Sequence, residues 1–161
     1  MATPEEAAAA VLRKVGWAGS LPIDPVRIAK QFNIEVFKDE TLAGSSNSGR
    51  CVITDSGECV IIVNPSDSVQ RQRFTVAHEL GHALFDQEGI HERRETKYNI
   101  DNYRKNEARM NRFAAALIMP EDEVKVAFDS GKNLKEIADL FGVSQTAMRI
   151  RLERLGILTY A

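Results

Sequence analysis

The segment FTVAHELGHALF, residues 74–85, combines residue types that bind metal ions. His78 and His82 lie four residues apart, and Glu79 directly follows the first of them. Residues four apart share one face of an α-helix, so both imidazoles can point at the same ion. Two imidazoles and one further oxygen or nitrogen ligand suit zinc, with water in the fourth position. The segment therefore predicts a helix that supplies two ligands to one Zn²⁺ ion.

Glu79 has a different predicted role, because it lies one position further round the helix. It is poorly placed to bind the same ion, but it can reach the water that the ion holds. Zinc lowers the pKa of such a water to about 7, and a nearby carboxylate can then take its proton. This is the mechanism behind the H-E-x-x-H motif, and it predicts Glu79 as the catalytic base.

The alternative interpretation is an ordinary core helix with two structural histidines. The chain has only three histidines, and two of them stand at ligand spacing within an apolar helix. Burying this polar group without a metal would be costly. Gly81 supports the metal site, since glycine costs a helix about 1 kcal/mol relative to alanine. Its presence is easiest to explain if another backbone passes close by.

The third ligand must come from further along the chain. Glu88 lacks a glycine before it that could turn the chain back towards the ion. Asp86 lies one turn beyond His82, too far along a straight helix to reach the ion. His91 could reach it from the loop that follows. Glu107 is the best candidate, because its helix can pack on the motif helix, but its position equally suits a solvated acid at a helix start.

Further residues could assist the reaction. Asn111 lies one turn after Glu107 and could form a hydrogen bond with a ligand. Peptide hydrolysis also needs a donor for the developing oxyanion. Tyr98, Tyr103 and His91 are the candidates, although a surface loop with a few aromatic residues is the simpler interpretation for each of them.

The elements around the motif predict an α+β fold. Thr3-Pro4 and Asp24-Pro25 are helix starts, and 34–37 is a predicted strand. The runs 50–54 and 58–63 flank Asp55-Ser56-Gly57 and predict a hairpin, across which Cys51 and Cys59 could face each other. Ser68 opens the motif helix. Residues 86–104 are predicted as a loop, with further helices over 105–118, from Pro120 to about 128, and two in the tail.

The two motifs together resemble the ImmA/IrrE metallopeptidases. HELGHALF is followed about twenty-five residues later by EARMNRFAAALIMP, and the family pattern is H-E-x-G-H and then E-x-x-A-N-x-F-A-A-x-L-L-M-P. The resemblance is close over residues 74–120 and looser elsewhere. Two departures are Met110, where the family usually has alanine, and Asp86, where members often have histidine.

This resemblance implies a small zincin-like core with about three strands, here assigned to residues 1–130, and a helical extension over 131–161. It implies that His78, His82 and Glu107 bind one Zn²⁺ and that Glu79 is the catalytic base. It also implies a cytoplasmic endopeptidase that cuts a partner protein, typically a helix-turn-helix repressor of mobile elements or stress responses.

Composition is compatible with this function. The net charge of −2 gives no general attraction to nucleic acid or anionic lipid. The N-terminal segment lacks a basic leader, no apolar run reaches the roughly 20 residues of a membrane span, and two cysteines are too few for a disulfide scaffold. These features together predict a cytoplasmic protein without membrane contact.

The tail suggests a second class of function. Residues 134–155 match a helix-turn-helix, with Gly142 in the turn, Ser144 as a helix cap, and arginines at 149, 151 and 154. The alternative function is therefore a DNA-binding regulator, or a zinc-bearing subunit that holds its partner without cutting it. The tail's net charge of +1 is weak for a phosphate-binding surface (four basic residues against three acidic ones over 134–161).

Overall fold

The computed structural model of the protein describes residues 2–86 and 100–158. In these ranges the chain forms seven α-helices and one three-stranded sheet, which confirms the predicted α+β class. The helices are α1 (Pro4–Lys14), α2 (Pro25–Gln31), α3 (Val69–Phe85), α4 (Ile100–Ile118), α5 (Glu121–Asp129), α6 (Leu134–Phe141) and α7 (Gln145–Arg154). The strands are β1 (Glu35–Lys38), β2 (Gly49–Ile53) and β3 (Cys59–Val63).

The sheet has β3 at its centre. It pairs in parallel with β1 and antiparallel with β2, so β1 and β2 are the two edges. The predicted β2–β3 hairpin is confirmed. The two cysteines are not opposite each other, however, because Cys51 pairs with Ile61 and Cys59 pairs with Ile53. The prediction that they could face each other is wrong, because each cysteine lies two residues away from the position opposite the other. Both are thiols.

The motif helix α3 begins as predicted at Ser68, whose hydroxyl accepts a hydrogen bond from the Arg71 backbone N–H at 3.1 Å. It contacts β2, β3, α2 and α4. A Cβ on Gly81 would lie 2.7 Å from Met110 Sδ and 2.9 Å from the Phe113 ring. Close approach at Gly81 is therefore confirmed, but the neighbours are side chains of α4 and not a backbone.

Helix α4 begins earlier than predicted, at Ile100 instead of residue 105. The side chains of residues 101–105 are all exposed. An exposed turn has no apolar periodicity, so this pattern could not reveal it. The segment predicted as a loop therefore ends in helix, and residues 87–99 lie outside the described ranges.

The tail forms two helices joined at Gly142, which has a φ of 67°, and α7 is capped by the Ser144 hydroxyl. Both predictions are confirmed. Ile137, Phe141 and Met148 belong to the same buried cluster as the apolar side chains of α3 and α4. The domain boundary at residue 130 stays a prediction. Among the described residues, no helix has the length and apolar character that crossing a membrane requires.

Candidate metal centre

Helices α3 and α4 bring three side chains to one point. His78 Nε2 lies 2.8 Å from Glu107 Oε2, and His82 Nε2 lies 2.7 Å from Glu107 Oε1. The two Nε2 atoms are 3.2 Å apart. One ligand atom from each residue thus lies within 4.8 Å of the other two. The i, i+4 spacing on α3 aligns the imidazoles, while only the packing of α4 on α3 supplies the carboxylate.

The donor set fits a metal ion. Two imidazole nitrogens and one carboxylate oxygen are common ligands of zinc, and three protein ligands leave a position for water. His78 and His82 are only 9% and 1% exposed. In the structure the three side chains contact one another. A bound cation could take the place of these contacts.

Asp86 orients His82 towards that point. Its Oδ2 lies 2.8 Å from His82 Nδ1, and its Oδ1 accepts a long hydrogen bond of 3.4 Å from Asn106 Nδ2. A carboxylate at Nδ1 fixes the ring and leaves Nε2 for the ion. Sequence reasoning placed Asp86 beyond the reach of the ion and assigned it no role. Its spacing of four residues from His82 was the signal that could have indicated this pairing.

The charges of the site are coupled. Burial lowers the pKa of His82, but the hydrogen bonds to Asp86 and Glu107 outweigh it and raise that pKa to about 9. Burial likewise raises the pKa of Glu107, but its hydrogen bonds with His78 and His82 hold the pKa well below its usual range. Glu107 is therefore an anion among imidazoles, which is the charge state that a cation needs in a ligand.

Glu79 is set beside this cluster, as its position on α3 predicted. Its side chain is 5% exposed and lines the same cleft as His78 and Glu107. It is not one of the three residues whose ligand atoms converge. The helix thus separates the residues that can bind an ion from a carboxylate that can act next to it.

The cluster opens into a cleft of about 530 Å³. One rim is formed by residues 46–49, which lead into the edge strand β2, and another part of the wall is formed by α7. The cleft joins two of the possible ligands, His78 and Glu107, and Glu79 to a sheet edge that could pair with an extended peptide.

The comparisons with known proteins show the family of this chain. The family model described as IrrE N-terminal-like domain, Peptidase_M78, matches residues 29–153, which is most of the chain. The chain belongs to the IrrE N-terminal-like family. A comparison with curated proteins gave no match.

The fold is also similar to that of a solved structure, a Mycobacterium tuberculosis transcriptional regulator, with a TM-score of 0.69 and 19% identity over 93% of this chain. The chain spans 46% of that protein's length. At this level of identity the similarity concerns the fold.

Met110 is one of the two positions at which this chain departs from the pattern of the family, and the structure shows where its side chain lies. Where the motif resemblance expects alanine, Met110 is 5% exposed and would contact a Cβ at Gly81. It lies three residues beyond Glu107, so the larger side chain fills the α3–α4 contact and leaves the three ligands together.

Asn64 is a positioning residue that sequence reasoning missed. It is fully buried, and its Nδ2 donates to the backbone carbonyls of Leu42 and Asn47 at 2.8 and 3.0 Å. Its Oδ1 accepts from the Ser66 backbone N–H. These bonds hold the loop that forms one rim of the cleft. An asparagine between a strand and a proline was the available signal, since Asn-Pro marks turns.

The other predicted site residues have different positions. Asn111 lines the cleft, and its role as a partner of a ligand stays a prediction. Tyr103 lies on α4 and is not among the described residues that line the cleft. His91 and Tyr98 lie outside the described ranges, so the oxyanion donor also stays a prediction.

Proposed function

We propose that the protein is a zinc-dependent endopeptidase in which His78, His82 and Glu107 hold one Zn²⁺ ion and Glu79 is the catalytic base. The observation that carries this proposal is the convergence of the three ligand atoms within 4.8 Å of one another beside a cleft. Bound zinc would supply Lewis-acid chemistry, polarising the scissile carbonyl and lowering the pKa of a water.

Glu79 would move the proton in this reaction. Its carboxylate accepts a proton from the attacking water and later passes it to the leaving amine, as a general base and then a general acid. Its burial beside the cleft supports this role, because few side-chain conformations are available to a glutamate that is 5% exposed. Asp86 would keep His82 in the ring orientation that the ion needs.

The substrate would lie extended along β2. This strand is an edge of the sheet, and its first residue, Gly49, lines the cleft next to the possible ligands. The unpaired backbone groups of an edge strand can add a peptide as a further strand. A Cβ on Gly49 would overlap the Ile62 carbonyl oxygen and lie 2.6 Å from Thr75 Cγ2, so glycine lets β2 approach α3 closely there.

The partner that we propose is a helix-turn-helix repressor in the cytoplasm. This part rests on the resemblance to the ImmA/IrrE metallopeptidases and on membership of the family. The similar fold of the Mycobacterium tuberculosis transcriptional regulator is compatible with a regulatory context.

DNA binding through the tail is less well supported than proteolysis. The Arg151 side chain is 6% exposed, and its Nε donates to the Met119 carbonyl at 3.0 Å, so it is withdrawn from phosphate contact. Arg154 lines the cleft. Of the three arginines on α7 that suggested a DNA surface, Arg151 is therefore bound inside the protein and Arg154 borders the cleft.

The experiment that tests the proposal is a Glu79→Gln variant with Glu58→Gln as its control, since Glu58 is exposed in the hairpin turn. The zinc content of both variants and their cleavage of a helix-turn-helix repressor from a neighbouring gene are measured. Glu79→Gln should keep one zinc per chain and lose about 10²- to 10⁴-fold in cleavage rate, the range that a general base contributes.

Two results would contradict the proposal. Cleavage by Glu79→Gln at the wild-type rate would remove Glu79 as the base. A wild-type protein that binds no zinc would remove the metal centre itself, whatever the outcome for the repressor.

A further inference from the structure

One face of α7 is part of the catalytic cleft. Ala147, Ile150, Arg151 and Arg154 all line it, and their spacing of three and four residues places them on one side of the helix. This is the second helix of the helix-turn-helix-like segment. Two of the three arginines that suggested nucleic-acid binding, Arg151 and Arg154, therefore lie on the side of α7 that borders the cleft with the candidate metal centre.

Arg151 fixes α7 in this position. Its Nε donates to the carbonyl of Met119, which directly follows the helix that carries Glu107. Burial lowers the pKa of Arg151, while Glu121 and Glu5 raise it. A buried side chain that ties α7 to the end of α4 keeps the cleft wall at a constant distance from the possible zinc ligands.

Two other arginines of the cleft are open to a ligand. Arg154 is exposed on α7, and Arg71 is exposed on α3, where its Nε donates to Ser48 Oγ at 3.1 Å. In the described parts of the chain, neither guanidinium has an acidic group within ion-pair distance. Arg112, by contrast, is paired with Glu5 at 2.8 Å. A peptide in the cleft would therefore meet two arginines that no described carboxylate engages.

We infer that α7 is a substrate-recognition helix, and that Arg154 and Arg71 select extended peptides that carry an aspartate or glutamate side chain near the scissile bond. A guanidinium binds a carboxylate through paired hydrogen bonds, which gives selectivity over neutral side chains. Ile150, which is 47% exposed and lines the same cleft, adds apolar surface beside Arg154. This inference rests on the proposed endopeptidase function and names its substrate class.

The experiment uses Arg154→Glu and, as a matched control, Arg149→Glu. Arg149 is exposed on the same helix but does not line the cleft. The zinc-loaded proteins are incubated with a pool of peptides from a proteome digest, and mass spectrometry identifies the new ends. The readout is the frequency of acidic and basic residues at each position around the cut.

A second readout does not depend on cleavage. Zinc-loaded Glu79→Gln, alone and combined with either arginine substitution, is immobilised and exposed to the same pool, and the retained peptides are sequenced. If the wild type cuts nothing while Glu79→Gln retains acidic peptides, the endopeptidase function fails and the recognition surface stands.

Wild type should enrich acidic residues at one or more positions by about two- to fivefold, the range expected for a solvent-accessible charge pair. Arg154→Glu should abolish this preference and favour lysine or arginine at the same position, while Arg149→Glu should match the wild type. Arg154→Gln, which adds no negative charge, should lose the preference without reversing it.

The inference is overturned if wild type cuts peptides without an acidic preference, if Arg154→Glu leaves the preference unchanged, or if Arg149→Glu alters it equally. It is also overturned if no peptide is retained by zinc-loaded Glu79→Gln. Zinc content and circular dichroism of each variant exclude misfolding as the cause of a changed preference.

Discussion

Helices α3 and α7 both carry polar side chains into the interior, and they do so with opposite results. On α3, His78 and His82 point their Nε2 atoms at one place, where Glu107 of α4 meets them. Each buried donor there is partnered by another residue that can bind metal. On α3, buried polar side chains therefore form a candidate metal site.

On α7 the three arginines have separate environments. Arg149 is exposed, Arg151 is buried against the Met119 carbonyl, and Arg154 lines the cleft. Arg151 is at least as buried as His78, yet its main partner is a backbone carbonyl. Burial of a polar side chain thus indicates metal or catalytic chemistry only where several such groups converge. Where one group meets a carbonyl, it indicates packing.

The largest effect is expected on zinc affinity, when one of the three converging side chains is removed. Glu107→Ala should weaken zinc binding by more than about 100-fold, because loss of a ligand costs more than loss of a partner of a ligand. Zinc affinity is measured by competition with a chelator, and Asp122→Ala, an exposed acid on α5, serves as the control. Retention of wild-type affinity in Glu107→Ala would show that the third ligand comes from elsewhere.

The next effect concerns the residue that orients His82. Asp86→Ala should weaken zinc binding by about 10- to 100-fold, since its carboxylate fixes the ring through Nδ1. Asp86→Asn keeps an acceptor without the charge and should lose less. If the two variants bind zinc equally, hydrogen-bond orientation at Nδ1 is not what Asp86 contributes.

The corresponding change on α7 should affect folding and leave metal binding unchanged. Arg151→Met keeps the apolar stem but leaves the buried Met119 carbonyl without its donor, so the free energy of unfolding should fall by about 1–3 kcal/mol. Urea denaturation of the metal-free protein measures this loss, and Arg149→Met should stay within about 0.5 kcal/mol of wild type. A loss of zinc affinity in Arg151→Met would contradict the conclusion that Arg151 on α7 serves packing while the polar residues of α3 serve metal binding.

The smallest effect is expected at an exposed pair outside both regions. Arg112 binds both carboxylate oxygens of Glu5 at 2.9 and 2.8 Å, and both side chains are more than 40% exposed. Solvent screening limits the contribution of such a pair to the free energy of unfolding to less than about 1 kcal/mol. The Arg112→Gln variant should lose this contribution.

This pair also has a defined pH dependence. The hydrogen bond with Arg112 lowers the pKa of Glu5 below its ordinary value of 4.5. A carboxyl whose pKa is lower in the folded state stabilises the fold above that value and loses its contribution as pH falls through the folded pKa. The difference in stability between wild type and Arg112→Gln should therefore be full at neutral pH and shrink in acid. A difference that grows as pH falls would contradict this assignment.

The sequence by itself determined the features that depend on local spacing. The i, i+4 spacing of His78 and His82 fixes their common face, and Gly142 with Ser144 fixes the turn and cap of α7. The hairpin followed from apolar runs around a turn sequence. These features are short-range, because backbone geometry alone relates residues a few positions apart.

Only the tertiary structure decided the features that depend on contacts between distant segments. Spacing left Glu107 open between a ligand and a solvated acid, and the packing of α4 on α3 brought it to within 2.8 Å of both histidines. The sequence offered a DNA-binding surface on α7 as an alternative, and the fold places Arg151 and Arg154 of that surface along the cleft. Local periodicity shows which side of a helix is polar, but which element that side meets is set by how the whole chain packs.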